Sequence, residues 1–330
     1  MEETLYPIKF NPILKSKIWG GHKIEKLFNK MPGKLANIGE SWEISGVQGD
    51  ISIVSNGFLS GNTLEELTEI YMGDLVGDSV FEKFGIEFPL LIKFIEAQDN
   101  LSIQVHPDDE VAHDRHNSYG KTEMWYVLQA DKDAKLISGF KKDSNKQEYR
   151  AALESGKLIE ILNEVKVDEG DLFFIPSGRI HAIGKGTLLT EIQQTSDITY
   201  RIYDYNRIGD DGKPRELHTD LALDVIDFNA TKSCKTDYKV IKNSTSLLIE
   251  CPYFQTNIIV FDKEIEKDYV LIDSFVIYIC VKGSFKIIYG NNLHEEVNEG
   301  ETILIPASLK NVILKPETET KILEVYVPEK

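Results

Sequence analysis

The sequence predicts a mainly β protein with two barrels or sandwiches and a few small helical insertions. Three observations support this prediction. Short apolar or alternating runs, bounded by Gly, Pro, Asn or Asp, recur at the spacing of a sandwich or barrel. Helical periodicity is confined to a few short segments. The last third of the chain repeats the pattern of the part before it, as a decayed second copy would.

Strands are predicted wherever such a run occurs. Before residue 200 the runs are 51–54, 90–95, 101–105, 124–128, 135–139, 171–175 and 188–193. After about residue 235 they are 238–241, 254–261, 276–281, 284–288, 301–305 and 321–327. Strands therefore dominate both parts of the chain.

Helices are predicted in three places. Thr63 and Glu66 form the ends of a capping box that opens an amphipathic segment toward Met72. The segment 144–165 carries apolar residues at roughly helical spacing, and a weaker helix is expected at 217–225. These helices are insertions between strands.

The C-terminal repeat has lost polar residues that the first copy contains. The segment 300–311, GETILIPASLKN, keeps a glycine and a proline at the interval found in 170–181, GDLFFIPSGRIH. It has Asn311 where the first copy has His181. A chain of 330 residues predicts about two domains. We therefore expect a metal-binding domain at 1–235 and a degenerate domain without metal at 236–330.

Four polar residues form a candidate metal site. Gln104 and His106 alternate with apolar residues, so both side chains lie on one face of a predicted strand. Glu123 begins another strand, and His181 follows a Pro-Ser-Gly turn that would direct the chain back toward that face. Two imidazoles, a carboxylate and an amide suit a divalent transition metal, with zinc first and manganese, iron or nickel also allowed.

Each of these residues also has a structural interpretation. Alone, Gln104 or Glu123 would be solvated or would pair across strands, and each histidine would be a hydrogen-bonded core residue. Their joint spacing favours metal binding instead. By contrast, His113 and His116 lie in a polar insertion and are predicted to be solvated.

The segment 170–181, which ends at His181, resembles the second characteristic motif of the cupin jelly roll. In that motif the histidine enters the barrel. A typical cupin has His-x-His and a glutamate a few residues later, whereas here Gln104 replaces the first histidine and Glu123 follows the polar insertion 107–120. This departure resembles the type I phosphomannose isomerases. Further segments match the short bacterial members, namely WGG at 19–21, ESWEIS at 40–45 and TYRIYDY at 199–205.

The resemblance, which is strong over the first two thirds of the chain, implies a fold and an activity. The fold would be two cupin-type jelly-roll barrels, one with metal and one without. The activity would be aldose–ketose isomerisation between mannose 6-phosphate and fructose 6-phosphate through a cis-enediol. One zinc ion per chain would be held by Gln104, His106, Glu123 and His181.

The resemblance also implies residues that act on the substrate. An arginine in so acidic a stretch would by default pair with Asp197 or Asp204, but the family's matching arginine belongs to the active site, so Arg201 is expected to be catalytic. Lys121 would join it in catalysis, and both would bind substrate with Ser102, which matches a family serine at the phosphate end. The group that transfers the proton stays open between a metal-bound water, Lys121 and another carboxylate.

Two other classes of protein fit the sequence less well. A non-catalytic sugar-binding bicupin would have no need of Arg201 or Lys121 beside the metal. A metal-dependent cupin oxygenase would hold iron with three histidines, or with two histidines and a carboxylate, and Gln104 argues against this.

The net charge of −17, from 37 basic and 54 acidic residues, argues against nucleic acid or an anionic membrane as a partner. A sugar phosphate would need local cations, and Lys121 and Arg201 are the best placed. The three cysteines have no metal-site spacing, and the N-terminus lacks the features of a signal peptide. The longest apolar run, 88–95, is too short to span a membrane. We expect a cytoplasmic monomer or homodimer.

Overall fold

The computed structural model describes residues 4–209 and 212–329. Strands outnumber helices among them, which confirms the mainly β prediction. In chain order the strands are β1 (Ile8–Lys9), β2 (Ile13–Gly21), β3 (Ile38–Ile44), β4 (Leu90–Ala97), β5 (Ile103–Val105), β6 (Glu123–Ala130), β7 (Lys135–Phe140), β8 (Leu162–Lys166), β9 (Leu172–Ile175), β10 (His181–Ala182), β11 (Thr187–Gln194), β12 (Tyr200–Tyr203), β13 (Thr245–Glu250), β14 (Gln255–Phe261), β15 (Ile265–Asp268), β16 (Val276–Lys282), β17 (Ser284–Tyr289), β18 (Leu293–Asn298), β19 (Thr302–Ile305), β20 (Asn311–Pro316) and β21 (Thr320–Tyr326). The helices are α1 (Lys23–Phe28), α2 (Leu64–Val76), α3 (Asp78–Phe84), α4 (Asp109–His116), α5 (Lys146–Glu154), α6 (Leu158–Ile161) and α7 (Thr219–Val225).

The chain divides into two compact units. One unit comprises Leu14–Trp42 and Leu91–Thr236. It contains nearly all of two sheets, with strand orders β2-β3-β4-β11-β6-β9 and β12-β5-β10-β7-β8. The other unit comprises the segment up to Ile13, Glu43–Leu90 and the segment from Asp237 onward. Its sheets have the orders β1-β19-β16-β21-β14-β13 and β15-β20-β17-β18.

The two units repeat one strand order. The series β9-β6-β11-β4-β3 of the first unit corresponds to β19-β16-β21-β14-β13 of the second, and β5-β10-β7-β8 corresponds to β15-β20-β17-β18. The turns correspond as well. Gly170 and Gly300 have φ values of 85° and 80°, which favour glycine, and their amides donate to Val127 O and Cys280 O at 2.9 and 2.8 Å. The internal repeat predicted from the sequence is confirmed.

The two units are not separated by a single boundary between residues 235 and 236, because each contains more than one segment of the chain. The C-terminal unit also contains the segment up to Ile13 and Glu43–Leu90, because these segments pair and pack with C-terminal strands. Ile8 of β1 pairs with Leu304 of β19, and the ring centroids of Phe88 and Phe275 are 4.5 Å apart. Pairing between residues so far apart in sequence leaves no local signal.

This organisation predicts the result of a truncation. Deleting residues 236–330 should leave an insoluble or unstable fragment, because β1 would lose β19 and Phe88 would lose Phe275, exposing apolar surface. The soluble fraction after expression and the thermal melting curve, compared with those of the full chain, would test this. A soluble, folded and active fragment would contradict it.

Two helix predictions are confirmed and one is partly wrong. The capping box is present, because Thr63 N donates to Glu66 Oε2 at 2.8 Å and Glu66 N donates to Thr63 Oγ1 at 3.1 Å. The weaker helix is α7. The segment 144–165, predicted as one helix, instead contains α5, α6 and strand β8. Gly156, with a φ of 71°, follows the end of α5, and β8 pairs with β7. No helix of the described ranges combines the length and apolar character needed to cross a membrane.

Two strand predictions are also wrong. In the segment 51–54 only isolated bridges form, at Ile53 and Val54. The segment 238–241 forms no strand, and Ile241 is 65% exposed. Both segments have the composition of strands but lack a neighbouring strand along their length, which the local sequence does not reveal.

Candidate active site

The four predicted metal ligands converge. The ligand atoms of His106, Glu123 and His181 all lie within 4.8 Å of one another. His181 Nε2 is 3.2 Å from Glu123 Oε1, and His106 Nε2 is 3.7 Å from Glu123 Oε2. The amide nitrogen of Gln104 is 3.2 Å from His181 Nε2 and 3.4 Å from His106 Nε2. Ligand atoms about 2.0 Å from a tetrahedral ion are about 3.3 Å apart, so the spacing fits a metal ion.

Local structure explains the convergence. Ile103 and Val105 of β5 are fully buried in an apolar cluster, so strand alternation turns Gln104 to the opposite face. β10 pairs with β5 so that His181 is directly opposite Gln104. The chain reaches β10 through Gly178, which has a φ of 83° and whose amide donates to His106 O at 2.9 Å.

Both imidazoles are oriented for metal binding. His106 Nδ1 is 2.8 Å from the carbonyl of Ile198, and His181 Nδ1 is 2.9 Å from the carbonyl of Arg179. A carbonyl can only accept, so each Nδ1 carries the proton and each Nε2 is left with a free lone pair. Because this pair of contacts fixes the tautomer, both Nε2 atoms are available to the same ion.

The electrostatics of the cluster fit a cation. Burial lowers the pKa of His181 to about 4 and places the pKa of His106 well below its ordinary value, so both rings are neutral. Burial, followed by the neighbouring Glu191 carboxylate, raises the pKa of Glu123 well above its ordinary value. Neither carboxylate oxygen of Glu123 has a hydrogen-bond partner within the described ranges. A buried carboxylate of this kind is what a metal ion would satisfy.

A cavity of about 300 Å³ lies beside this cluster. Its wall includes Gln104 together with the three residues predicted to act on the substrate, Ser102, Lys121 and Arg201. The wall also contains charged residues that the sequence analysis did not assign to the site, namely Lys17, Glu40, Lys93, Glu191, Asp197 and Arg215. Five basic and three acidic side chains therefore line the cavity of a chain whose net charge is −17.

Arg201 does not pair with Asp204 as the default interpretation suggested. Asp204 instead accepts bonds from Arg207 and Arg215, with Arg215 Nε 2.7 Å from its Oδ2. Arg201 Nη1 donates to the carbonyl of Glu216 at 2.9 Å, and its buried Nε has no partner in the part of the chain that the structure describes. Burial, and then the nearby Arg215 guanidinium, lower the pKa of Arg201. The guanidinium thus has bonding capacity left for a ligand.

A buried ion pair between Lys93 and Glu191 lies in the wall of the cavity. Lys93 Nζ donates to Glu191 Oε1 at 2.9 Å and to Gln193 Oε1 at 2.6 Å, and Trp125 Nε1 donates to Glu191 Oε2 at 2.8 Å. Burial lowers the pKa of Lys93, but the nearby carboxylates, Glu191 first and then Glu40, together outweigh burial and the pKa is raised. A signal was present in the sequence, because Lys93 interrupts an apolar strand, and lysine is rarely fully buried without a partner.

Lys121 is close both to Glu123, a predicted metal ligand, and to Lys93 of the buried ion pair. Its Nζ is 4.0 Å from Glu123 Oε2, and burial followed by the nearby Lys93 lowers its pKa.

The two histidines that were predicted to be solvated, His113 and His116, are exposed on α4. His116 nevertheless has a specific contact, because its Nε2 is 2.8 Å from Tyr200 Oη.

Comparisons with known proteins identify relatives of this chain. Residues 8–152 match the family model described as phosphomannose isomerase type I, catalytic domain. The chain is 41% identical over 257 residues to mannose-6-phosphate isomerase ManA of Bacillus subtilis, which covers 76% of this chain and 78% of that protein. It is 38% identical over 250 residues to mannose-6-phosphate isomerase of Streptococcus mutans, covering 75% and 77%.

Solved structures show the same fold. The crystal structure of mannose 6-phosphate isomerase from Bacillus subtilis superposes with a TM-score of 0.85 at 31% identity, covering 97% of this chain and 99% of that chain. A structure from Archaeoglobus fulgidus, at a TM-score of 0.78 and 23% identity, shares the fold. The sequence identity over three quarters of the chain and the conserved architecture lead to one conclusion: this chain belongs to the type I phosphomannose isomerase family.

Proposed function

We infer that this chain is a mannose-6-phosphate isomerase that interconverts mannose 6-phosphate and fructose 6-phosphate at a single metal site. One observation carries the proposal. Gln104, in the wall of a cavity with five basic and three acidic side chains, lies beside a buried cluster of His106, Glu123 and His181. The cluster suits a Lewis-acidic metal, and the excess of basic over acidic side chains in the wall suits an anionic substrate.

We propose zinc as the metal and Gln104, His106, Glu123 and His181 as its ligands. Two neutral imidazoles and a carboxylate are the donors that zinc prefers. The side-chain amide of Gln104 offers an oxygen after rotation about its last torsion, since its nitrogen and oxygen occupy equivalent ends. A bound zinc ion would stabilise negative charge on the sugar oxygens as a Lewis acid.

The protein side chains would then bind and orient the open-chain sugar. The isomerisation moves one proton from C2 of the aldose to C1 and one from the O2 hydroxyl to O1, so the carbonyl shifts from C1 to C2 and the atoms balance without a redox partner. Negative charge develops on the oxygens of the enediol. Arg201 and Lys121 would stabilise this charge from fixed positions, and Ser102 would help bind the phosphate.

We propose that the C-terminal barrel has no metal and no chemistry. Its Asn311 is exposed. The buried carboxylate of Glu324 already accepts bonds from three side chains, namely Tyr269 Oη at 2.6 Å, Lys267 Nζ at 2.7 Å and Asn257 Nδ2 at 2.9 Å. Because these bonds use its acceptor capacity internally, this carboxylate is engaged in the structure of the barrel. The free state of all three cysteines suits the cytoplasmic location that we propose.

A coupled assay with mannose 6-phosphate and metal analysis of the purified protein would test the proposal. We expect production of fructose 6-phosphate and about one zinc ion per chain. Binding of mannose 6-phosphate without turnover would indicate a sugar-binding bicupin. Oxygen consumption with bound iron would indicate an oxygenase.

A further inference from the structure

The segment 216–218, Glu-Leu-His, holds Arg201 by three hydrogen bonds. The backbone amide of Arg201 donates to His218 Nδ1 at 3.1 Å. The amide of His218 donates to the carbonyl of Arg201 at 2.7 Å. Arg201 Nη1 donates to the carbonyl of Glu216 at 2.9 Å. Both the backbone and the guanidinium of Arg201 are therefore fixed by one short segment.

The position of Arg201 at the edge of its sheet explains why the segment 216–218 is needed. Arg201 lies in β12, the edge strand of its sheet, whose inner neighbour is β5. On that inner side Arg201 is directly opposite Gln104. An edge strand presents unpaired amides and carbonyls on its outer side. The segment 216–218 satisfies these groups at Arg201, so it sets the position of Arg201 relative to the proposed metal ligand.

We propose that His218 is a positioning residue for Arg201, an inference that rests on the catalytic role proposed above for that arginine. Of the three bonds, the bond to His218 Nδ1 is the one that depends on the identity of a side chain in the segment. It requires an acceptor at Nδ1, so the ring carries its proton on Nε2. His218 does not line the cavity and acts only through Arg201.

The loss of this acceptor has a kinetic consequence. Without it the Arg201 amide in the edge strand is left unpaired, and Arg201 is held less firmly because one of its three bonds to the segment 216–218 is lost. Displacement of a charged group by about 1 Å from its catalytic position can lower turnover about 100-fold. We therefore expect His218→Phe, which keeps a ring but no acceptor, to lower kcat at least about tenfold, with metal content unchanged.

A rescue variant separates positioning from packing. In His218→Asn the side-chain carbonyl oxygen offers an acceptor close to the place of Nδ1. We expect this variant to recover most of the lost kcat, although it lacks the ring. His113→Phe on exposed α4 is the matched control and should have wild-type kcat and KM. Wild-type kinetics for His218→Phe, or equal losses in His218→Phe and His218→Asn, would overturn the inference.

A second measurement tests the inference without enzyme activity. The chain has six arginines, so protein labelled with ¹⁵N-arginine gives few backbone amide signals. The Arg201 amide should shift in His218→Phe and return toward its original position in His218→Asn. If the wild type proved inactive on mannose 6-phosphate, the proposed function would fail, and these amide shifts would still decide whether His218 holds Arg201. An Arg201 amide that does not move in His218→Phe would refute the contact.

Discussion

Replacing His181 by alanine should abolish isomerase activity and most of the bound metal. The His181 imidazole is buried, neutral and oriented by the carbonyl of Arg179, and it lies 3.2 Å from Glu123 Oε1. Its removal would leave three of the four proposed ligands and an incomplete coordination shell. Because metal affinity depends on the full ligand set, we expect the metal content to fall well below one ion per chain.

Elemental analysis and the coupled assay on the same preparation would measure both effects. The matched control is His113→Ala, which removes an exposed histidine of α4 and should leave metal content and activity unchanged. Metal removal from the wild type by a chelator should give the same loss of activity, reversed by added Zn²⁺. A fully metallated and active His181→Ala protein would exclude this residue as a ligand.

Replacing Arg201 by alanine should lower kcat/KM by about 100-fold to 1,000-fold while the protein stays folded and metallated. Arg201 contributes a fixed positive charge to the cavity, and its buried Nε has no partner within the described residues. Among the residues that the structure describes, its side chain makes one hydrogen bond, to the carbonyl of Glu216, so the loss of folding stability should be small.

Kinetics, metal analysis and thermal melting on the same variant would separate these effects. Arg115→Ala is the matched control, because Arg115 is an exposed arginine of α4 that pairs with Asp224 at 2.8 Å. That variant should have wild-type kinetics. If Arg201→Ala retained turnover near the wild-type level, the charge of Arg201 would have no part in catalysis.

The candidate site illustrates what local sequence can predict. Strand alternation places Gln104 and His106 on one face, and the glycine turn at Gly178 leads to His181. Each of these features depends on a few consecutive residues, and backbone geometry restricts what such short segments can form. Local sequence therefore suffices to predict these ligands.

The errors in predicted secondary structure have a different cause. In the segment 144–165 the apolar spacing suits either a helix or a strand over short lengths, and pairing with β7 decides that its end is β8. The segment 238–241 has strand composition but no partner strand. In both cases the outcome depends on residues far away in sequence.

The sequence by itself determined the mainly β class, the internal repeat and the four convergent polar residues, because these follow from periodicity and turn chemistry. Only the tertiary structure decided the rest of the site. Lys93, Glu191 and Arg215 reach the cavity, and His218 holds Arg201, through pairings between segments that are distant in the chain. The pairing of β1 with β19 likewise joins two segments that are separated by most of the chain. Such contacts depend on how whole sheets assemble and on the burial of charge within them, and neither property is encoded in a short stretch of residues.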